Sequence, residues 1–223
     1  ENTIIVMSGD NGYPFPRAKA NLYDGGTHIP LAVAWDGVIK PQTTTDAFVE
    51  LSDLAPTFLE AAGLPVPREM TARSLIPVWK GISGGAGRDR VYLEIERHAY
   101  ARPGHVGYPM RAVRTKEYLY IRNFEPERWP AGDPTALSRL GIFADCDGSP
   151  SKEYVIAHPA LKPASPGDET YYQLAFGKRP SEELYDLEKD PFEMNNLAGN
   201  ASYTTVIANF RKELAKQMAQ TGD

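Results

Sequence analysis

Thr3-Ile4-Ile5-Val6-Met7-Ser8-Gly9-Asp10-Asn11-Gly12 opens the chain. Lys19 follows, then Leu22-Tyr23-Asp24-Gly25-Gly26-Thr27-His28-Ile29-Pro30-Leu31. A β-branched apolar run ends in an acid–amide–glycine turn, so Thr3–Met7 reads as a buried strand. The glycine-rich turn leads into a second apolar run, Pro30–Trp35, read as a second buried strand. In open α/β sheets ligands gather at the carboxyl ends of strands, and Asp10 and Asn11 stand at such an end. A carboxylate and an amide carbonyl are hard oxygen donors of the kind calcium takes, but calcium needs about 6–8 of them. Asp-Asn-Gly is also an ordinary turn tripeptide. Lys19 is a compact cation suited to a sulfate or phosphate oxygen. A lysine in a loop is usually just a solvated surface charge, and Arg17 competes for the same role. His28, between a glycine-rich turn and a proline, reads as local structure.

Outward from this stretch, Asp46–Ala62 predicts a helix. Asp46 serves as N-cap, and Phe48, Leu51, Leu54, Phe58, Leu59 and Ala62 form an apolar stripe. Pro56 lies inside it as a possible kink, and Gly63 ends it. Ser74–Trp79 reads as a short helical turn. The Gly/Ser-rich stretch Gly81–Gly87 is the expected boundary, giving an α/β part over 1–87 and a second subdomain over 88–223. The second part has short strand candidates at Val91–Glu96, Met110–Thr115, Tyr118–Asn123 and Glu183–Leu187. Lys116-Glu117 turns the middle pair into a hairpin. Glu125–Thr170 reads as a long ordered loop region, because Trp129, Phe143 and Tyr154 call for burial. Ala201–Gln220 is an amphipathic helix with Val206, Phe210, Leu214 and Met218 on one face. The fold class is α/β followed by a small antiparallel sheet with a C-terminal helix.

The 223 residues hold enough apolar side chains for a packed core, 42 % hydrophobic and 10 % aromatic. A net charge of −5, from 24 Lys+Arg against 29 Asp+Glu, gives no support for nucleic-acid binding. Cys146 is the single cysteine, so no internal disulfide forms. No segment reads as a membrane span. Glu1 is not an initiator methionine and a strand follows almost at once, so the expectation is a piece of a longer protein.

Two further clusters carry chemistry. Glu96-Arg97-His98, His105 and Tyr108-Pro109-Met110-Arg111 follow a strand, as in a pocket wall. His98 and Arg111 suit a sulfate or carboxylate on a sugar, although these residues alone favour a solvated loop with two incidental histidines. Glu183-Leu184-Tyr185-Asp186-Leu187, then Asp190-Pro191-Phe192-Glu193 and Asn195-Asn196-Leu197-Ala198, read as an edge-type strand, a turn and the lead into a helix. This last cluster need not touch a ligand.

Taken in order, these groups resemble the carboxyl-terminal half of formylglycine-dependent sulfatases, a branch of the alkaline-phosphatase-like hydrolases. The likeness runs from Asn2 to the last helix. Asp10-Asn11-Gly12-Tyr13-Pro14-Phe15-Pro16, Asn21-Leu22-Tyr23 and Tyr108-Pro109-Met110-Arg111 are similar to the heparan N-sulfatase branch (N-sulfoglucosamine sulfohydrolase). The resemblance implies that Asp10 and Asn11 are late calcium ligands and that Lys19 contacts the sulfate group in catalysis. It implies a sugar pocket shaped by His98, Tyr108 and Arg111. The reaction implied is hydrolysis of sulfate esters or N-sulfate groups, on a glycosaminoglycan-type sugar, in a periplasmic, secreted or lysosomal setting. One departure matters. The family's nucleophile comes from a Cys/Ser-x-Pro-x-Arg motif oxidised to formylglycine, and Cys146 stands instead in Asp145-Cys146-Asp147-Gly148-Ser149. The nucleophile, the first metal-binding aspartates and the catalytic histidines are expected in an amino-terminal half that partners this one. The chain alone is then expected to be inactive.

Two other readings stay open at this level. A two-zinc phosphatase or phosphodiesterase of the same superfamily wants histidine where Asn11 stands. A non-catalytic calcium- or carbohydrate-binding module needs no nucleophile at all.

Overall fold

The computed structural model describes residues 2–82, 87–135, 141–163 and 169–223. They form two compact units. The first joins the N-terminal residues through Ser8 to Pro30–Val91, and the second joins Gly9–Ile29 to Tyr92–Asp223. The boundary lies at Val91, and the Asp10–Ile29 loop belongs with the second unit because Leu22 and Tyr23 are buried in that unit's core. Residues 83–86 of the expected Gly/Ser-rich linker lie outside the described residues.

In the first unit β1 (Ile4–Ser8) pairs antiparallel with β2 (Leu31–Trp35), Ile4 opposite Trp35 and Ser8 opposite Leu31. The apolar runs do form strands, but they are not buried. Ile5 is 63 % and Met7 72 % exposed. One face of the ribbon, with Ile4, Val6, Leu31, Val33 and Trp35, is half-buried, and the other, with Ile5 and Met7, lies open, so β-branched composition produces the strand without full burial.

The helix expected from Asp46 begins later. A 3₁₀ turn over Leu51–Asp53 leads into a helix over Leu54–Ala61. Glu50, not Asp46, is the N-cap, and its backbone N–H donates to the Asp53 carboxylate at 2.9 Å. Asp53 is fully buried and receives both guanidinium nitrogens of Arg88, at 2.7 and 2.9 Å. That long-range pair sets where the helix starts. Pro56 sits in its first turn, where its missing N–H is tolerated. At the other end Gly63 N–H bonds to Glu60 O and Leu64 N–H to Leu59 O, a Schellman closure with Gly63 at φ +70°. A short helix over Ile76–Trp79 completes this unit, with Trp79 edge-on to Trp35.

The second unit is built on a four-stranded sheet in the order β3-β4-β5-β6, from β3 (Arg90–Ile95, of which Tyr92 onward belongs to this unit), β4 (Met110–Thr115), β5 (Tyr118–Asn123) and β6 (Glu182–Asp186). The hairpin at Lys116-Glu117 has the expected register, with Met110 opposite Asn123 and Arg114 opposite Leu119. β6 runs antiparallel to β5. Strand alternation sends Met110, Ala112, Leu119, Ile121 and Tyr185 into one core with Leu22, Tyr23 and Tyr108. Val113, Tyr120 and Leu184 take the opposite face, where Ile207, Phe210 and Leu214 of the long terminal helix, Thr204–Thr221, pack against them. Val206 and Met218 are partly buried there, as their spacing predicts.

Two helices lie in or beside the region read as loop, at Pro150–Ala157 and Tyr171–Phe176. With Ala131, Phe143 and Cys146 they enclose a third core, and Phe143 stacks on Phe176 with ring centroids 4.4 Å apart. Trp129 is partly buried against this core. Tyr154 is not in it. It is 55 % exposed and stacks on His158, its neighbour one helical turn away. Residues 136–140 and 164–168 of the same region lie outside the described residues.

Candidate functional site

The site grows from a backbone crossing within the second unit. Gly12 lies against the backbone of Gly25 and Gly26, and Gly26 lies against the carbonyls of Ala18 and Asn21. A Cβ at either glycine would collide with main chain. Two turns thus press together without side chains between them, which is what the glycines of Asp-Asn-Gly and Asp-Gly-Gly are for. The loop between them carries Arg17 at φ 60° and Ala20 at φ 67°, left-handed conformations that side chains seldom adopt.

This crossing lies beside a cavity of about 260 Å³, whose lining includes Asp10, Asn11, Lys19, Thr27, Glu94 and His98. Residues of the N-terminal loop and of the segment around Glu94–His98 therefore share one wall. Asp10 and Asn11 are exposed at its edge. Lys19 is half-buried, and its ammonium lies 3.0 Å from a carboxylate oxygen of Asp147. His98 is backed by Asp145, whose Oδ1 lies 3.5 Å from Nδ1 of the imidazole.

Tyr108 stands behind His98, in a smaller chamber of about 10 Å³ shared with Arg102 and Asp145. Its hydroxyl and Nη1 of Arg102 are buried there without a hydrogen-bond partner among the described residues. Burial pushes the Tyr108 phenol well above its ordinary value, and the Glu183 carboxylate adds to this.

Two expected residues are placed elsewhere. Arg111 alternates onto the face of the sheet that carries Val113, away from Tyr108 and Met110. It forms ion pairs with the Asp223 carboxylate and, at 2.6 Å, with Glu96. Those partners raise its already high pKa further, Asp223 foremost. It fastens the chain's last residue to the sheet and does not line the cavity. Arg17 is not a rival to Lys19. Its guanidinium lies 4.0 Å over the Tyr23 ring and donates to the Glu193 carbonyl at 2.5 Å. The long arginine reaches under the loop, and the shorter lysine stays at the cavity.

Asp10 and Asn11 suit a hard cation in chemistry and in exposure, and no hydrogen bond or ion pair among the described residues occupies their side-chain oxygens. Two donors remain too few. Among the described residues no group of three or more His, Cys, Asp or Glu gathers into a metal-holding cluster.

The sequence reading missed the support beneath the loop. Glu183 is 2 % exposed and accepts from Tyr23 at 2.7 Å, Tyr185 at 2.6 Å and Asn123 at 2.7 Å. Glu193 accepts the Asp24 backbone N–H at 2.8 Å, and Asp24 in turn holds the Arg114 guanidinium at 2.9 Å through both oxygens. The Glu-Leu-Tyr-Asp segment and its following turn therefore brace the loop from below, without lining the cavity.

The fold is shared with BT4656, solved in complex with its substrate D-glucosamine-2-N,6-O-disulfate, at a TM-score of 0.60 and 22 % identity over 98 % of this chain and 34 % of that one. Residues 15–134 match the family described as N-sulphoglucosamine sulphohydrolase, C-terminal, and the chain belongs to that family. An ulvan-active sulfatase of Formosa agariphila is 29 % identical over 100 % of this chain and 34 % of its own length. Human N-sulphoglucosamine sulphohydrolase is 27 % identical over 100 % of this chain and 42 % of its own length. The chain thus spans between a third and a half of these relatives. No helix among the described residues is long and apolar enough to cross a membrane.

Proposed function

We propose that this chain forms one wall of the active site of a sulfatase that removes sulfate, ester- or nitrogen-linked, from a glycosaminoglycan-type sugar. The observation that carries the reading is the cavity in which Asp10, Asn11, Lys19 and His98 meet. The substrate class is supported by the glucosamine disulfate bound to a protein of the same fold and by the sulfoglucosamine named for the human relative.

Asp10 and Asn11 would hold calcium through oxygen, completed by ligands from the rest of the enzyme. Calcium bound there would supply charge stabilisation to the sulfate oxygens. Lys19 exchanges Asp147 for a sulfate oxygen and stabilises the charge that grows on it as the bond to sulfur breaks. The Lys19–Asp147 pair is part-exposed, so little holds it against a competing sulfate group. His98 contacts the sugar or its substituents from the opposite part of the cavity lining, and Tyr108 packs behind it. The formylglycine nucleophile belongs to a motif absent from these residues, so bond-making is assigned to the remainder of the enzyme.

The test is turnover of 4-nitrophenyl sulfate and of N-sulfated glucosamine by the intact protein and by the 223-residue chain. The reading expects calcium-dependent turnover by the intact protein, abolished in Asp10→Ala, and none by the chain alone. An intact protein that cleaves phosphate esters but neither sulfate would contradict it.

A further inference from the structure

The loop Phe143–Asp147 brings a second layer of residues to the cavity. Asp145 is 4 % exposed. Its Oδ1 accepts the Ala99 backbone N–H at 2.9 Å and lies 3.5 Å from His98 Nδ1, while Oδ2 lies 2.6 Å from Nη2 of Arg102. The loop itself is tied down. Buried Lys152 donates its ammonium to the Phe143 carbonyl at 3.0 Å and to the Cys146 carbonyl at 2.8 Å. The Asp145 N–H bonds to the Ala131 carbonyl at 3.1 Å. Arg102 is fixed in turn by the carbonyls of Trp129 and Pro130, at 2.8 and 2.7 Å. The carboxylate therefore has little freedom, and His98, 31 % exposed in its side chain, faces it with one ring nitrogen.

We propose that Asp145 is the positioning residue for His98, resting on the reading of the cavity as a sulfated-sugar site. An imidazole whose Nδ1 faces a fixed carboxylate keeps its proton on Nδ1, which leaves Nε2 as the nitrogen offered to a ligand. In the neutral ring Nε2 accepts from a sugar hydroxyl or amine. In the protonated ring it donates to a sulfate or carboxylate oxygen. Arg102 serves this arrangement by pairing with Asp145 from the other side, so that the buried acid has a cationic partner. Asp145 touches no substrate. It acts through His98, and Lys152 and Arg102 act through Asp145. The same loop supplies Asp147 to Lys19, so one short segment governs two ligand-facing side chains of the cavity.

Two measurements on the intact enzyme test this. In long-range ¹H–¹⁵N NMR at neutral pH, His98 is expected to show a protonated Nδ1 and a pyridine-type Nε2, and Asp145→Asn is expected to return it to a mixture of tautomers. In a double-mutant cycle on N-sulfated glucosamine, Asp145→Asn and His98→Gln are each expected to lower kcat/KM by roughly tenfold or more, the scale on which loss of an orienting partner acts at metal-bound histidines. The double variant is then no worse than His98→Gln. Additive losses in an active enzyme, or a wild-type His98 with its proton on Nε2, would overturn the positioning role alone. An intact wild-type protein without turnover would overturn the sulfatase reading and this role together. Should Asp145→Asn fail to fold, the wild-type tautomer decides.

Discussion

The Tyr23 hydroxyl donates to the buried Glu183 carboxylate at 2.7 Å, across 160 residues of sequence. This bond fastens the loop bearing Lys19 to the last strand of the sheet. Burial, with the Glu183 charge adding to it, drives the Tyr23 phenol well above its ordinary value, so it remains a donor throughout the working pH range. Removing it leaves Glu183 with two donors in place of three. Tyr23→Phe is therefore expected to cost roughly 1.5–3 kcal/mol, the worth of a hydrogen bond to a charged group. Denaturant titration checks it. A lowered midpoint with an unchanged slope is the expected result.

Gly26→Ala tests the backbone crossing. The added Cβ meets the carbonyls of Ala18 and Asn21, which belong to main chain and cannot swing aside. A loss of roughly 1–3 kcal/mol is expected, the usual scale of overpacking. Gly199→Ala is the control, since a Cβ there meets nothing within contact distance. Equal midpoints for the two variants would contradict the crossing.

Glu193 gives stability a pH dependence. Burial, reinforced by the Asp24 charge, raises its carboxyl to about 7, against the opposing pull of the Asp24 N–H, Arg17 and Arg114. A carboxyl raised on folding binds a proton that the unfolded chain has already released. The contribution is therefore fully present below about pH 4.5 and lost as pH rises to about 7. Glu193→Gln keeps an acceptor for Asp24 and carries no charge. It is expected to be more stable than wild type at pH 8 and close to it at pH 4.5. Thermal melts at the two pH values decide, and a difference confined to the acidic value would reverse the assignment.

Much of the second unit was legible in the sequence because its signals are local. Lys116-Glu117 sits between two alternating runs, and the terminal helix has a clear apolar face. The helices at Pro150 and Tyr171 also had local signals that went unread. Ser149 caps the first, with Pro150 at its first position, and Thr170 with Gln173 forms a capping box for the second. The late start at Glu50 was not legible, because Asp53 answers to Arg88. Nor were the roles of Asp145, Asp147, Glu183 and Glu193. Each is an acid whose partner lies far along the chain, up to 169 residues away for Glu193 and Asp24. Lys19 stood out by motif, but only the cavity separates it from Arg17. Arg111 lies off the cavity because strand alternation sends it to the other face of the sheet from Met110.

Calcium titration of the 223-residue chain is expected to show weak binding. Asp10 and Asn11 offer two oxygens where the ion takes about 6–8, and among the described residues no cluster adds to them. Calorimetry checks this. Sub-micromolar affinity would reveal a complete site within the chain.

The measurement closest to the central claim is steady-state hydrolysis of N-sulfated glucosamine by the intact enzyme carrying Lys19→Ala, Lys19→Arg or Arg17→Ala. Lys19 lines the cavity and Arg17 is held over the Tyr23 ring. Lys19→Ala is expected to lower kcat/KM by roughly 10²-fold or more, the loss of one electrostatic donor. Lys19→Arg is expected to recover part of it, keeping charge but changing reach. Arg17→Ala is expected to lower the melting temperature while folded enzyme keeps most of its turnover. A Lys19→Ala enzyme near wild type, beside a stable but inactive Arg17→Ala enzyme, would contradict the account.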